Sequence, residues 1–164
     1  MAIIEEVLAA NTSYAAQFTK GDLPMPPGRK FAVLACMDAR LDPARVLGLE
    51  EGDAHVIRNA GGRASDDALR SLAISQQLLG TREVIIIHHS DCGMLTFTNP
   101  QLRDKIRADL GADASSIDFL PFSDVPQSVR DDLATLRSSS LLIKGTPVRG
   151  FIDDVRSGRL NEVT

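Results

Sequence analysis

Apolar and polar positions follow two rhythms along this chain, and each change of rhythm marks an element. Over residues 1–18, Ile4, Val7, Leu8, Ala15 and Phe18 recur at helical intervals, which predicts a helix. Pro24, Pro26 and Pro27 must end it, because each removes a backbone donor and fixes an extended path. Residues 1–22 therefore read as a helical arm joined to the body by a stiff connector. Such an arm packs either on a partner subunit or on its own domain.

Residues 31–35 are an unbroken apolar run, as in a strand covered on both faces. Asp42 or Pro43 starts a short helix through Leu47, with Pro43 suited to its first turn. Residues 54–57 predict a second short strand, and Asn59, Ala60, Gly61 and Gly62 a turn. Ser65 caps the next helix, with Asp66 and Asp67 near its positive end. Leu69, Leu72, Ala73, Gln76 and Leu79 form one stripe of that helix, Gly80 ends it, and residues 83–87 predict a third buried strand. Beyond it the pattern predicts helices over 99–109 and roughly 125–137, separated by a loop at 111–122. A fourth strand is predicted at 141–143, and 148–155 leads into a turn at Ser157 and Gly158. Alternation of strand and helix points to one α/β domain over 1–164. Its central sheet is mainly parallel, flanked by helices and joined by right-handed crossovers.

Composition excludes several classes. With 4% aromatic residues and no Trp, the core must be mainly aliphatic. A formal charge of −4 argues against a general nucleic-acid binder, which presents a basic face. No apolar stretch approaches a membrane span, and Glu5 and Glu6 interrupt any secretory signal. Two cysteines make no disulfide framework, so a cytoplasmic setting is expected.

Those two cysteines carry the candidate chemistry. Cys36 closes the first apolar run and is followed by Asp38 and Arg40; Cys92 follows the third run, with His89 three residues before it. Ligand sites in an open parallel sheet lie beyond the carboxyl ends of the strands. If the two strands are neighbours, Cys36, His89 and Cys92 converge. Two thiolates and an imidazole suit zinc and leave a fourth tetrahedral position for water. Strand alternation sends His88 to the opposite side, as a packing or supporting residue. His55 reads as a surface or satisfied core histidine. Three alternatives stay open at this point: inert buried cysteines, a Cys36–Cys92 redox pair, or a site that only holds the fold, with Asp38 as a fourth ligand. A phosphatase-type loop fails, because the position that needs an arginine is Asp42. The Asp38–Arg40 pair is either a loop-stapling salt bridge or a carboxylate oriented beside metal-bound water.

Taken together, 36–40 (Cys-Met-Asp-Ala-Arg) and 89–93 (His-Ser-Asp-Cys-Gly) resemble the two signatures of β-class carbonic anhydrases, in the compact microbial branch. Residues 57–61 (Ile-Arg-Asn-Ala-Gly) and Asp66–Asp67, opening a helix that carries Arg70 and Ser71, resemble that family's intervening segments. The resemblance implies one zinc per subunit on Cys36, His89 and Cys92, with the Asp38–Arg40 dyad beside it. It implies reversible hydration of carbon dioxide to bicarbonate by a zinc-bound hydroxide, with Gly93 N–H as a donor to the developing oxygen. A homodimer or dimer of dimers follows too, with the N-terminal helix embracing the partner. A subset of the family hydrolyses carbonyl sulfide or carbon disulfide instead. Departures at Gly62, where many relatives have Asn, and at His88, where many have Gly, leave substrate preference less constrained than fold.

Overall fold

The buried run at 31–36 is the middle of the molecule. In the computed structural model, which describes residues 2–164, Phe31–Cys36 forms β1, and all six of its residues are buried. β1 pairs in parallel on both sides, with β2 (His55–Asn59) and with β3 (Glu83–His89). β4 (Val148–Asp154) adds in parallel to β3, and β5 (Arg159–Val163) adds antiparallel to β4, giving the order β2-β1-β3-β4-β5. From β1 the chain steps outward to β2, then crosses back over β1 to reach β3. That reversal puts the sheet's switch point, where its ligand crevice belongs, between β1 and β3.

The helices start where local chemistry dictates. After α1 (Ile3–Ala15), Asp42 accepts from Ala44 N at 3.1 Å to cap α2 (Pro43–Leu47). Ser65 accepts from Ala68 N at 3.3 Å to cap α3 (Asp66–Gln77). Thr98 and Gln101 form a reciprocal cap on α4 (Asn99–Leu110), and Asp124 caps α5 (Val125–Ser138) through Gln127 N at 2.7 Å. Two apolar clusters cover the sheet. One joins Ala32, Val84 and Ile86 to Leu72 of α3 and to Val129, Leu133 and Leu136 of α5. The other gathers Phe31, Val33, Ala35, Leu41, Ile87 and Met94 around Cys36 and Cys92. No residue of α1 is buried, and the arm touches its own domain through polar contacts at its end, where Tyr14 and Lys20 reach Glu50 and Glu51.

The structure corrects the strand expected at 141–143. Only Leu142 of that trio is buried, and the Ile143 N–H is taken at 2.8 Å by the side chain of buried Gln76. A donor already spent on a side chain cannot join a ladder, so pairing begins at Val148 instead. The second strand runs to Asn59 rather than 57, the first helix stops at Ala15, and β5 is an element that the hydrophobic pattern did not resolve.

Gly150 in β4 lies directly beneath α5, where a Cβ would run into Val129 Cγ1 and sit 3.1 Å from Leu133 Cδ1. Gly150→Ala should therefore lift α5 from the sheet and lower stability by about 1–3 kcal/mol, seen as an earlier urea midpoint. An unchanged midpoint would show that α5 can shift without cost.

Candidate metal centre

Cys36 is the last residue of β1, and Cys92 follows three residues after the end of β3. Because the two strands are neighbours, Cys36 Sγ and Cys92 Sγ stand 4.0 Å apart although 56 positions separate them in sequence. The donor atoms of Cys36, His89 and Cys92 all lie within 4.8 Å of one another, and all three residues are buried. The turn that returns the chain from His89 to Cys92 is tight, with Asp91 in the left-handed region at φ 55°, a conformation Asp tolerates better than most residues.

This donor set fits zinc. Two thiolates bound tetrahedrally at about 2.3 Å would lie about 3.8 Å apart, close to the separation found. His89 Nδ1 lies 2.9 Å from the Ser90 carbonyl, to which it donates, so its lone pair is left on Nε2. That Nε2 is fully buried and has no hydrogen-bond partner among the described residues, which is costly unless something else binds there. One of the sulfurs is conditioned for the thiolate state as well. Hydrogen bonding from Cys92, with help from the Asp38 amide, pulls the Cys36 thiol down to about 4. Cys92, which donates to that sulfur and is buried, is pushed up, so one thiol of the pair ionises far more readily than the other.

Asp38 lies next to this cluster, its Oδ2 3.7 Å from His89 Nε2. Arg40 donates to both carboxylate oxygens, from Nε to Oδ1 at 2.9 Å and from Nη2 to Oδ2 at 2.8 Å, and its backbone N–H adds a third bond to Oδ1 at 2.9 Å. These bonds hold the Asp38 carboxyl well below the usual carboxylate range. Gly93 begins the 3-10 turn Gly93–Leu95, and its N–H makes no hydrogen bond among the described residues. Behind the cluster passes the 3-10 turn Ala60–Gly62. Gly62, at φ +68°, is so close that a Cβ would lie 2.9 Å from Cys36 N and 3.0 Å from Ile87 O, so only glycine fits there.

His88 turns to the other side of the sheet, as strand alternation required. Its Nδ1 shares a hydrogen bond of 2.8 Å with Ser128 of α5, and its Nε2 lies 3.1 Å from Asp132 and 3.2 Å from the Gly62 carbonyl. Arg63 also pairs with Asp132, at 3.1 Å. His55 is satisfied by Ser75 at 2.7 Å.

Four participants escaped sequence reasoning. Asp91 accepts from Arg40 through both its carboxylate (2.8 Å) and its carbonyl (2.9 Å), tying the β1 turn to the β3 turn. Arg58 of β2 donates to the carbonyls of Cys36, Asp38 and Leu41. Asp91 falls within 89–93 and Arg58 within 57–61, and membership of those family-like segments is the signal that would have found them. Asp132 pairs with His88 from 44 positions away, and no local pattern announces it. Asp153, level with His89 in the β3–β4 register, is buried, and burial pushes its carboxyl pKa up.

Comparison with known proteins agrees with this geometry. The sequence model of the carbonic anhydrase family matches residues 31–113. β-Carbonic anhydrase 1 of Mycobacterium tuberculosis is 50% identical over 165 residues, covering 100% of this chain and 99% of that protein. The crystal structure of a carbonic anhydrase from Streptococcus mutans superposes with a TM-score of 0.96 at 45% identity, covering 100% of this chain and 99% of that one. A carbon disulfide hydrolase of an Acidianus species is 31% identical over 97% of this chain and 88% of its own length. With a Cys-His-Cys donor set at the switch point of its sheet, and likeness along its whole length, the chain belongs to the β-class carbonic anhydrase family.

Proposed function

We propose that this protein is a zinc enzyme that hydrates carbon dioxide reversibly to bicarbonate. The observation that carries the reading is the convergence of Cys36, His89 and Cys92, with an imidazole nitrogen that has no hydrogen-bond partner among the described residues, in a chain half identical throughout to a β-carbonic anhydrase. When bound, zinc supplies Lewis acidity that brings the pKa of water down toward neutrality, less far between two thiolates than among three imidazoles.

The chain's own residues do the rest. Cys36, His89 and Cys92 hold the ion. Asp38, ionised and gripped on both oxygens by Arg40, accepts a hydrogen bond from the attacking oxygen and turns its lone pair toward the substrate carbon. Arg40 acts through Asp38, and its second anchor on Asp91 stops the dyad from swinging away. The free Gly93 N–H donates to the substrate oxygen that gains negative charge as the carbon is attacked. Carbon dioxide and water thus become bicarbonate and a proton, and the proton passes to buffer.

The relationship to the Acidianus protein favours one second reading, hydrolysis of carbon disulfide or carbonyl sulfide by the same centre. These are small linear molecules attacked at carbon, and the residues that prepare the nucleophile do not distinguish them.

A homodimer is the inferred working unit, alone or paired into a tetramer. Support comes from α1, whose Ile3, Ile4, Val7 and Leu8 are all more than half exposed, an apolar stripe that none of the described residues covers. Two free thiols only 4.0 Å apart suit a reducing compartment such as the cytoplasm. No helix of the described residues is long and apolar enough to cross a membrane.

Stopped-flow hydration by zinc-replete protein should give a rate that climbs from neutral to alkaline pH and disappears, together with bound zinc, in Cys92→Ser. Asp38→Ala should keep one zinc per subunit yet lose on the order of a hundredfold in rate. Loss of the metal in that variant would instead mark Asp38 as a structural ligand. A wild-type rate no better than the Cys92→Ser blank at every pH would defeat the assignment and make carbon disulfide and carbonyl sulfide the substrates to assay. Removing residues 2–22 should shift the sedimenting species from dimer to monomer; a dimer that persists would show that the arm is not what joins the subunits.

A further inference from the structure

Six residues, 36–41, carry a metal ligand, the carboxylate and the arginine of the dyad, and they leave β1 through an irregular turn with little backbone pairing. Met37 N donates to Asn59 O at 2.9 Å, and Leu41 N to Asp38 O at 3.1 Å. Three carbonyl oxygens of this turn, those of Cys36, Asp38 and Leu41, converge on one side chain from the neighbouring strand. Arg58 donates from Nε and Nη2 to Cys36 O at 3.1 and 3.0 Å, and from Nη2 to Asp38 O and Leu41 O, both at 2.8 Å.

Arg58 has no carboxylate partner among the described residues, so these carbonyl dipoles are what faces its charge. Nor is it needed to hold β2 in place, since five residue pairs already join β2 to β1 and Asp42 separately caps α2. Its side-chain hydrogen bonds all go to the turn.

We propose that Arg58 is a positioning residue for the reaction. It gathers the three carbonyls and so fixes the backbone from which Asp38 reaches the attacking oxygen, without touching that oxygen or the Asp38 carboxylate. Asp38 is then held twice, from its side chain by Arg40 and from its main chain by Arg58. A planar guanidinium can meet several acceptors at once in fixed directions. A lysine ammonium at the end of a flexible stem would reach one carbonyl and leave the others uncompensated. The effect on rate rests on the hydration chemistry proposed above; the effect on the turn does not.

Arg58→Ala and Arg58→Lys provide the test. Both should bind one zinc per subunit and unfold near the wild-type urea midpoint. Both should lose about tenfold to a hundredfold in kcat with little change in KM, as expected when a reacting group is misplaced by an ångström or so. Added guanidinium should restore part of the rate of Arg58→Ala, and sodium chloride at equal ionic strength should not. Amide hydrogen exchange at Met37, Arg40 and Leu41 should be faster in both variants. Wild-type turnover per bound zinc in Arg58→Ala, or unaltered exchange at those three amides, would overturn the proposal. If the wild-type protein itself fails to hydrate carbon dioxide, that failure belongs to the functional assignment, and the exchange rates alone decide whether Arg58 holds the turn.

Discussion

Parallel pairing of β1 with β3 is the constraint on which the site depends. Five residue pairs, from Phe31 with Glu83 to Ala35 with Ile87, bring the carboxyl ends of the two strands to one level. Adjacent strands lie about 4.8 Å apart, so groups at neighbouring strand ends are already within the reach of one ion. Cys36 and His89 need no loop rearrangement to meet, and Cys92 needs only the one tight turn. The donor set is therefore built by the hydrophobic core, through strands whose burial on both faces keeps them side by side in the middle of the sheet. Metal binding then completes a frame that folding has already assembled.

Around that frame, arginines do work that the sheet cannot. Backbone pairing ends where the chemistry begins, so the turns after β1 and β3 must be held by side chains. Arg40 crosses between the turns, engaging Asp38 on one and Asp91 on the other. Arg63 pairs with Asp132 on the far side of the sheet, beneath His88. The exposed part of this system, the Arg40–Asp91 pair, adds little to stability in water; its value is directional. Two donors from one planar group leave Asp38 a single orientation, which catalysis requires more than it requires strength.

Much of this was legible in the sequence because the informative residues are scarce. With two cysteines and three histidines in 164 residues, a cysteine after each of two apolar runs, one of them trailing a histidine, points to a shared site. The buried strands announced themselves as unbroken aliphatic runs, and the helix starts at Asp42 and Ser65 by their capping chemistry. What failed was set by tertiary contact. Residues 141–143 are aliphatic enough for a strand, but Gln76, far back in α3, claims the backbone donor of Ile143. β5 is an edge strand of mostly exposed residues, so burial imprints almost no alternation on it. Asp132 and Arg58 act across the fold on partners that no periodicity connects to them.

The two histidines at the end of β3 have a further consequence, for how the chain finds its register. Residues 85–89 read Ile-Ile-Ile-His-His, and a strand with that sequence looks nearly the same after slipping by one position. A slip reverses the face of every side chain, so His88 would arrive at the metal side and His89 beneath α5, with isoleucines still buried on both faces. The strand cannot tell these arrangements apart. Discrimination falls to its surroundings: Ser128 and Asp132 offer polar partners on one side only, and the Gly62 carbonyl waits at the height of His88 and no other residue. A buried polar cluster remote from the reaction thereby serves as the index mark of the strand, and the imidazole that reaches the metal is chosen on the opposite face of the sheet.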